Sequence, residues 1–303
     1  MEIRIDKKVA GLSIKEYFVS LRLSSRLITK LKNREDGITV NGEKKTVRHI
    51  LKEGDLLCLA IEDQSSSSSI KPSFIPLCVL YEDEHYIAVE KEPNLPIHPS
   101  RNHIDDTLAS RVMAYFEGRN FVFRVLTRLD RDTSGAVIIA KDPIAAAEFS
   151  SLLTKREVKK EYLAICEGIF PEKQGEIDYN IRRPSPLNIM REAVEKCEAK
   201  GENTPFGTDA LSTYHVLKEG AGHSLVLFSP VTGRTHQLRV HALKHGHPII
   251  GDTLYHKESE LISRQALHAH CITFIHPFTK KEVSIKCPIP KDMEHAISVL
   301  GLN

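Results

Sequence analysis

The chain has no tryptophan among its 303 residues and no apolar run near the roughly 18–20 residues that a membrane span needs. The opening stretch Met1 to Lys8 lacks the apolar core of a signal peptide. Cys58, Cys78, Cys166, Cys197, Cys271 and Cys287 include no Cys-x-x-Cys pair, which argues against a zinc knuckle and against a disulfide framework. A reducing cytoplasm is therefore the expected location. Charge of one sign is also scarce, since the net value is only +2. That balance hides an asymmetry: residues 1–60 carry 13 Lys and Arg against 8 Asp and Glu, and the remainder carries 29 against 32. Polyanion affinity follows local basic density, so the front of the chain is the better candidate for gripping nucleic acid. A surplus of this size also describes an ordinary solvated face.

The length suits two domains with a real core. Leu12 to Leu23 and Arg26 to Leu31 read as two short helices, with Ser24 and Ser25 as a cap between them. Leu12, Tyr17, Phe18, Leu21, Leu27, Ile28 and Leu31 share one packed face, while Arg22, Arg26, Lys30 and Lys32 are left for solvent or RNA. Ile38-Thr39-Val40-Asn41-Gly42 is a strand into a tight turn, and Gly54-Asp55 turns into another. Gln64 to Ser69 is almost all serine and is followed by Pro72 and Pro76. Such composition reads as a flexible tether. The expected division is a small domain over 1–62, a linker over 63–76 and a large domain over 77–303.

The large domain centres on Arg128-Leu129-Asp130-Arg131-Asp132-Thr133-Ser134-Gly135, which runs into the strand-like Ala136 to Lys141. An opposite charge within about 4–6 Å favours an ionised carboxylate, so Asp130, flanked by two arginines, reads as a nucleophile or charge stabiliser. A structural aspartate in a surface turn is the plainer alternative. The glycine suits a tight turn before the strand. Asp142-Pro143 is a helix start. Tyr162 opens a strand and is either core or a platform for a base. His98, in a proline-rich loop, is either a rim residue or structural. Residues 171–212 show few regular apolar patterns and read as an irregular excursion. His236, His241, His245 and His247 lie within 12 residues, and His241 and His245 would share a helix face, which invites a metal reading. No third ligand is evident.

The string Arg-Leu-Asp-Arg-Asp-Thr-Ser-Gly resembles the catalytic motif of the RluA/RluD-type pseudouridine synthases, with Thr127 where that family most often has histidine. Lys160-Glu161-Tyr162-Leu163-Ala164, Gly233-Arg234-Thr235-His236-Gln237-Leu238-Arg239, Gly246-His247-Pro248-Ile249 with Gly251-Asp252, and Leu267-His268-Ala269-His270 are similar to further family segments in family order. Residues 10–60 resemble the small RNA-binding module named after a ribosomal small-subunit protein, S-four. The resemblance implies an α+β fold: a catalytic domain on a mixed, mostly antiparallel sheet with a cleft, preceded by a small α+β RNA-binding domain. It implies isomerisation of uridine to pseudouridine in RNA, with no cofactor and no metal. Asp130 would meet the ribose, Arg239 (or Arg234) would pair with it, and Tyr162 would position the base. Leu267 would wall the pocket, and Arg128 would fill the gap left by the extracted nucleotide. The expected partner is RNA, ribosomal before transfer RNA, and the expected state is a monomer away from membranes. A noncatalytic RNA-binding or ribosome-assembly factor on the same scaffold is the alternative.

Overall fold

The front of the chain forms β1 (Glu2–Arg4), α1 (Ile14–Ser20), α2 (Ser25–Lys32), β2 (Ile38–Val40), β3 (Glu43–Lys44) and β4 (Leu56–Leu59). In the computed structural model the described residues are 1–303 apart from 22, 24, 62–66, 68, 101, 102, 186, 187 and 197–205, with the side chain of Arg26 also outside the description. The α1 helix is shorter than its apolar pattern predicts because Ser13 and Glu16 form a reciprocal cap. The Ser13 hydroxyl accepts the Glu16 N–H at 3.2 Å, and the Glu16 carboxylate accepts the Ser13 N–H at 2.7 Å. Asn41 and Gly42 both take positive φ, 52° and 85°, the geometry of a tight hairpin turn that joins β2 to β3. The sheet order is β1-β4-β2-β3, and Ile14, Phe18, Leu31, Leu57 and Leu59 fill the core beneath it.

The large domain carries β5 (Val79–Glu82), β6 (Tyr86–Lys91), α3 (Leu108–Tyr115), β7 (Ser134–Ala140), α4 (Pro143–Lys155), β8 (Val158–Glu167), β9 (Gln174–Arg182), β10 (Glu192–Val194) and β11 (Thr208–Gly220). After these come β12 (His223–Pro230), α5 (Gln237–Lys244), β13 (Leu267–Ile275), β14 (Glu282–Lys286) and α6 (Lys291–Val299). The strands run β10-β9-β11-β12-β8-β13-β7-β6-β5, with β14 on the far half of β13. Among the described residues only β13 and β7 pair in parallel, through His268 with Ser134 and Ala269 with Gly135. This short seam joins the two halves of the sheet, and the mixed, mostly antiparallel α+β architecture is the one expected. Among the described residues no helix is long and apolar enough to cross a membrane.

Three expectations are corrected. Residues 171–212 are not irregular throughout, for β9, β10 and the start of β11 lie there, while 186, 187 and 197–205 fall outside the described residues. Ile177, Tyr179 and Ile181 alternate along β9 with polar residues, which is the period of a half-buried strand. The linker is not free over its second half. Ser67 donates its N–H to the Phe121 carbonyl at 3.1 Å, Ser73 donates to the Ser110 carbonyl at 2.9 Å, and Ile70 packs against the buried cluster that includes Leu108, Val112 and Phe121. Backbone bonds and one aliphatic side chain hold it to α3 and to the segment that follows α3, which its composition conceals. The first half, 62–66, lies outside the described residues. Finally, Gly135 is not in a turn but inside β7. Its φ is +126°, and a Cβ there would meet the Ala269 carbonyl oxygen at 2.4 Å, so glycine is what lets β7 and β13 approach at the seam.

The two domains share packing. Ile144, at the start of α4, is buried in the core of the small domain, and Phe278 packs against the same cluster. The α4 helix begins as its sequence predicts, with the Asp142 carboxylate accepting the N–H groups of Ile144 and Ala145 at 2.8 Å each and proline in its first turn.

Candidate active site

The turn before β7 and the helix after β12 meet over the seam. Asp130, on the turn, receives Nη1 of Arg239, on α5, at 3.1 Å. The other edge of the same guanidinium lies on Asp252, with Nε to Oδ2 and Nη2 to Oδ1 both at 2.7 Å. The Tyr255 ring covers its face at 4.9 Å. Burial opposes the charge on Arg239, but the two carboxylates outweigh it and hold its pKa above the ordinary arginine value. The fork geometry makes arginine, rather than lysine, the residue able to bridge both acids.

The expected flanking arginines take no part in this. Arg131 turns to Asp132 at 2.9 Å, and Arg128 is exposed at the rim of the cavity. Adjacent residues on a tight turn project apart, so the countercharge of Asp130 comes from 109 positions away. Arg234 also lines the cavity, but it is exposed and its Nε donates to the Asp209 carbonyl at 3.0 Å rather than to Asp130. Of the two arginines expected to pair with Asp130, the structure brings Arg239 to it.

The turn itself is anchored from beneath. Lys91, wholly buried, donates Nζ–H bonds to the carbonyls of Arg131 at 2.6 Å, Glu92 at 2.8 Å and Leu95 at 2.9 Å. Burial pulls its pKa down to about 7, against the pull of Asp132 and Asp130. Three carbonyl acceptors match the three N–H donors of an ammonium, so the geometry favours the charged form. Arg264 reaches the Asp132 carbonyl at 3.2 Å from its ion pair with Asp292 on α6. Gln265 donates to the Thr133 hydroxyl at 3.2 Å. Thr127, where the resemblance leads one to expect histidine, accepts the Ile138 N–H on its hydroxyl at 2.9 Å.

Asp130, Arg239, Tyr162, Leu267, Arg128 and Arg234 all line one cavity of about 720 Å³. Tyr162 is half-buried, its phenol has no hydrogen-bond partner among the described residues, and burial together with the Asp130 charge pushes its pKa up. Leu267 is buried at the start of β13. His98 stands outside this lining. It packs edge-on to Phe123 at 5.3 Å, and burial and the nearby Arg128 charge lower its pKa. His236 is a residue the sequence reading did not single out for the site. It enters α5 with φ +56° and lies 4.0 Å from Asp130, its Nδ1 bonded to the Tyr255 hydroxyl at 2.7 Å. Asp252 was visible in the Gly251-Asp252 pair and Tyr255 follows three residues on, but nothing local assigns either to an arginine on another element. His241 and His245 sit one turn apart at α5, yet His241 bonds the Ser212 hydroxyl at 3.0 Å, and among the described residues no three His, Cys, Asp or Glu side chains group as a metal site. In the small domain Lys30 and Lys32 are exposed on α2. Arg22 and the side chain of Arg26 lie outside the description.

A carboxylate braced by a buried arginine stands beside a phenol and an aliphatic wall in a cavity rimmed with basic groups, an arrangement able to stabilise positive charge on a bound sugar and to receive an anionic chain. The sequence model for RNA pseudouridylate synthase matches residues 85–244. An uncharacterized RNA pseudouridine synthase of Bacillus subtilis, YjbO, is 36% identical over 94% of this chain and 98% of its own. The ribosomal large subunit pseudouridine synthase D of Neisseria meningitidis serogroup B is 32% identical over 92% of this chain and 75% of its own. Among solved structures, human RNA pseudouridylate synthase domain containing 1 shares 27% identity and a TM-score of 0.58 over 76% of this chain and 97% of its own. The chain belongs to the RNA pseudouridylate synthase family and is an isomerase that acts on uridine in RNA.

Proposed function

We propose that this enzyme isomerises uridine in ribosomal RNA, with Asp130 as the group that meets the ribose. The observation that carries the reading is the Asp130 carboxylate, held by Arg239 at 3.1 Å in a cavity that Tyr162 and Leu267 also line. Breaking the bond from C1′ to N1 leaves positive charge on the sugar, which a carboxylate traps or stabilises, as in glycoside hydrolysis. The uracil then turns, C5 bonds to C1′, and the C5 proton leaves to solvent. Trapping at C1′ and removal of a ribose proton both call on the same anion. Arg239 aims it, Tyr162 supports the lifted base by stacking, Leu267 closes the wall, and Arg128 at the rim fills the vacancy in the RNA. The small domain, through Lys30 and Lys32 with Arg22 and Arg26, grips the RNA backbone. Ribosomal RNA is favoured because the relatives named for a target are named for the large ribosomal subunit.

The test is release of tritium from C5-labelled uridine in total RNA taken from cells lacking the protein. Wild type releases label, and Asp130→Asn loses roughly 10³-fold or more of that rate. Equal release by both would remove Asp130 from the chemistry. Fractionating the RNA by size then assigns the label to ribosomal or transfer RNA.

A further inference from the structure

We infer that Lys160 is the anchor for a backbone phosphate of the nucleotide drawn into the cavity, a role that rests on the Asp130 reading above. Side chains alternate between the two faces of β8. Lys159 and Glu161 share one face of the strand and pair with each other at 2.7 Å. Lys160 and Tyr162 share the other face and both line the cavity. Two strand residues span roughly 6.5 Å, about the reach from a base to its own phosphate. A base supported at Tyr162 thus places its phosphodiester at Lys160.

The charge pattern agrees. Every other cation on the cavity wall except exposed Arg128 has a carboxylate or carbonyl oxygen near it: Arg239 has Asp130 and Asp252, Arg156 lies 4.0 Å from Asp209, and Arg234 bonds the Asp209 carbonyl. The Lys160 ammonium has no hydrogen bond or ion pair among the described residues. Lys160 is half-buried, its ammonium lies beside Gly233, where an added Cβ would come within 3.6 Å, and burial lowers its pKa. An ammonium held half out of water without a partner is costly unless an anion arrives. The open Gly233 loop leaves room for one, and the anion available in RNA is the phosphodiester.

The experiment is single-turnover tritium release with enzyme in excess over the same total RNA, for wild type, Lys160→Met and Lys160→Arg, at several salt concentrations. Filter binding of that RNA is measured in parallel on the Asp130→Asn background. Lys160→Met raises the half-saturating enzyme concentration about tenfold or more and flattens the salt slope by about 0.7–0.9, the share of one phosphate contact. The loss falls on half-saturation more than on the maximal rate, and Lys160→Arg recovers most of it. Methionine preserves the length of the side chain and relieves the buried charge, so the variant folds, which its melting temperature checks. Unchanged binding and slope in Lys160→Met, or a loss confined to the maximal rate, overturns the phosphate role. Failure of the Asp130 reading shows separately, as turnover by Asp130→Asn.

Discussion

Arg239 bridges Asp130 and Asp252, with 3.1 Å to the first and two bonds of 2.7 Å to the second. Asp252 is almost wholly buried and Asp130 is partly open to the cavity. The buried acid therefore fixes the guanidinium, and the guanidinium fixes the exposed acid. Asp252→Asn should keep the shape but remove one countercharge from a buried arginine. Breaking such a pair costs about 3–5 kcal/mol, and the remaining bond to Asp130 puts this case at the lower end. The expected outcome is a lower urea midpoint and a fall in kcat of about 10–100-fold through misplacement of Asp130, with a smaller change in KM. A variant with full kcat would show that Asp252 serves only the fold.

Gly135 offers a steric test of the seam. Alanine there has to place its Cβ on the Ala269 backbone with φ at +126°, so we expect a loss of about 3 kcal/mol or more together with lost turnover. Gly42→Ala is the control: its φ is +85° but nothing lies within 4 Å of the added Cβ, and the cost should be about 1–2 kcal/mol with turnover retained. Equal penalties in urea titrations would mean that backbone conformation, not the approach of β13, selects glycine at 135.

Acid should weaken the fold through His268. This ring is wholly buried, bonds the Ser134 hydroxyl at 3.0 Å and the Cys287 carbonyl at 3.3 Å, and burial lowers its pKa to about 4. The unfolded chain takes up a proton near pH 6.5 and the folded chain only near pH 4. Stability is therefore full above pH 6.5 and is lost as pH falls toward 4. At pH 5 the loss from this one residue is about 2 kcal/mol relative to pH 7.5. Subtracting the urea stabilities of His268→Asn from those of wild type at the two pH values isolates the contribution. A difference that does not change with pH would exclude it.

Much of this was legible because it is local. The hairpin at Asn41-Gly42, the Asp142 cap with proline after it, and the strand through Tyr162 each announce themselves within a few residues. Family strings carried Asp130, Arg239 and Leu267 further than their own neighbourhoods could. What stayed hidden depends on long-range pairing. The bond of Lys91 to Arg131 spans 40 positions and that of Arg264 to Asp132 spans 132, and both end on backbone carbonyls, which leave no trace in residue identity. The same reasoning explains why Arg131 misled: beside Asp130 in sequence, it pairs with Asp132 instead.

Thr127 is the departure from the family string, and its environment argues that it works for the fold. It is 6% exposed, and its hydroxyl accepts the Ile138 N–H from the second half of β7. Leaving a buried N–H without an acceptor costs about 1–3 kcal/mol. Thr127→Val, close in shape but unable to accept, should therefore lower the melting temperature while tritium release at a temperature well below the transition stays within a few-fold of wild type. Thr127→Ser keeps the acceptor and should recover most of the stability. The cavity wall includes Thr127, so a chemical role would show differently: valine would abolish turnover, serine would restore it, and neither would track the melting temperature. The hydrogen bond to Ile138 already occupies an acceptor site on the hydroxyl and holds it toward the strand, which is why we expect the first pattern.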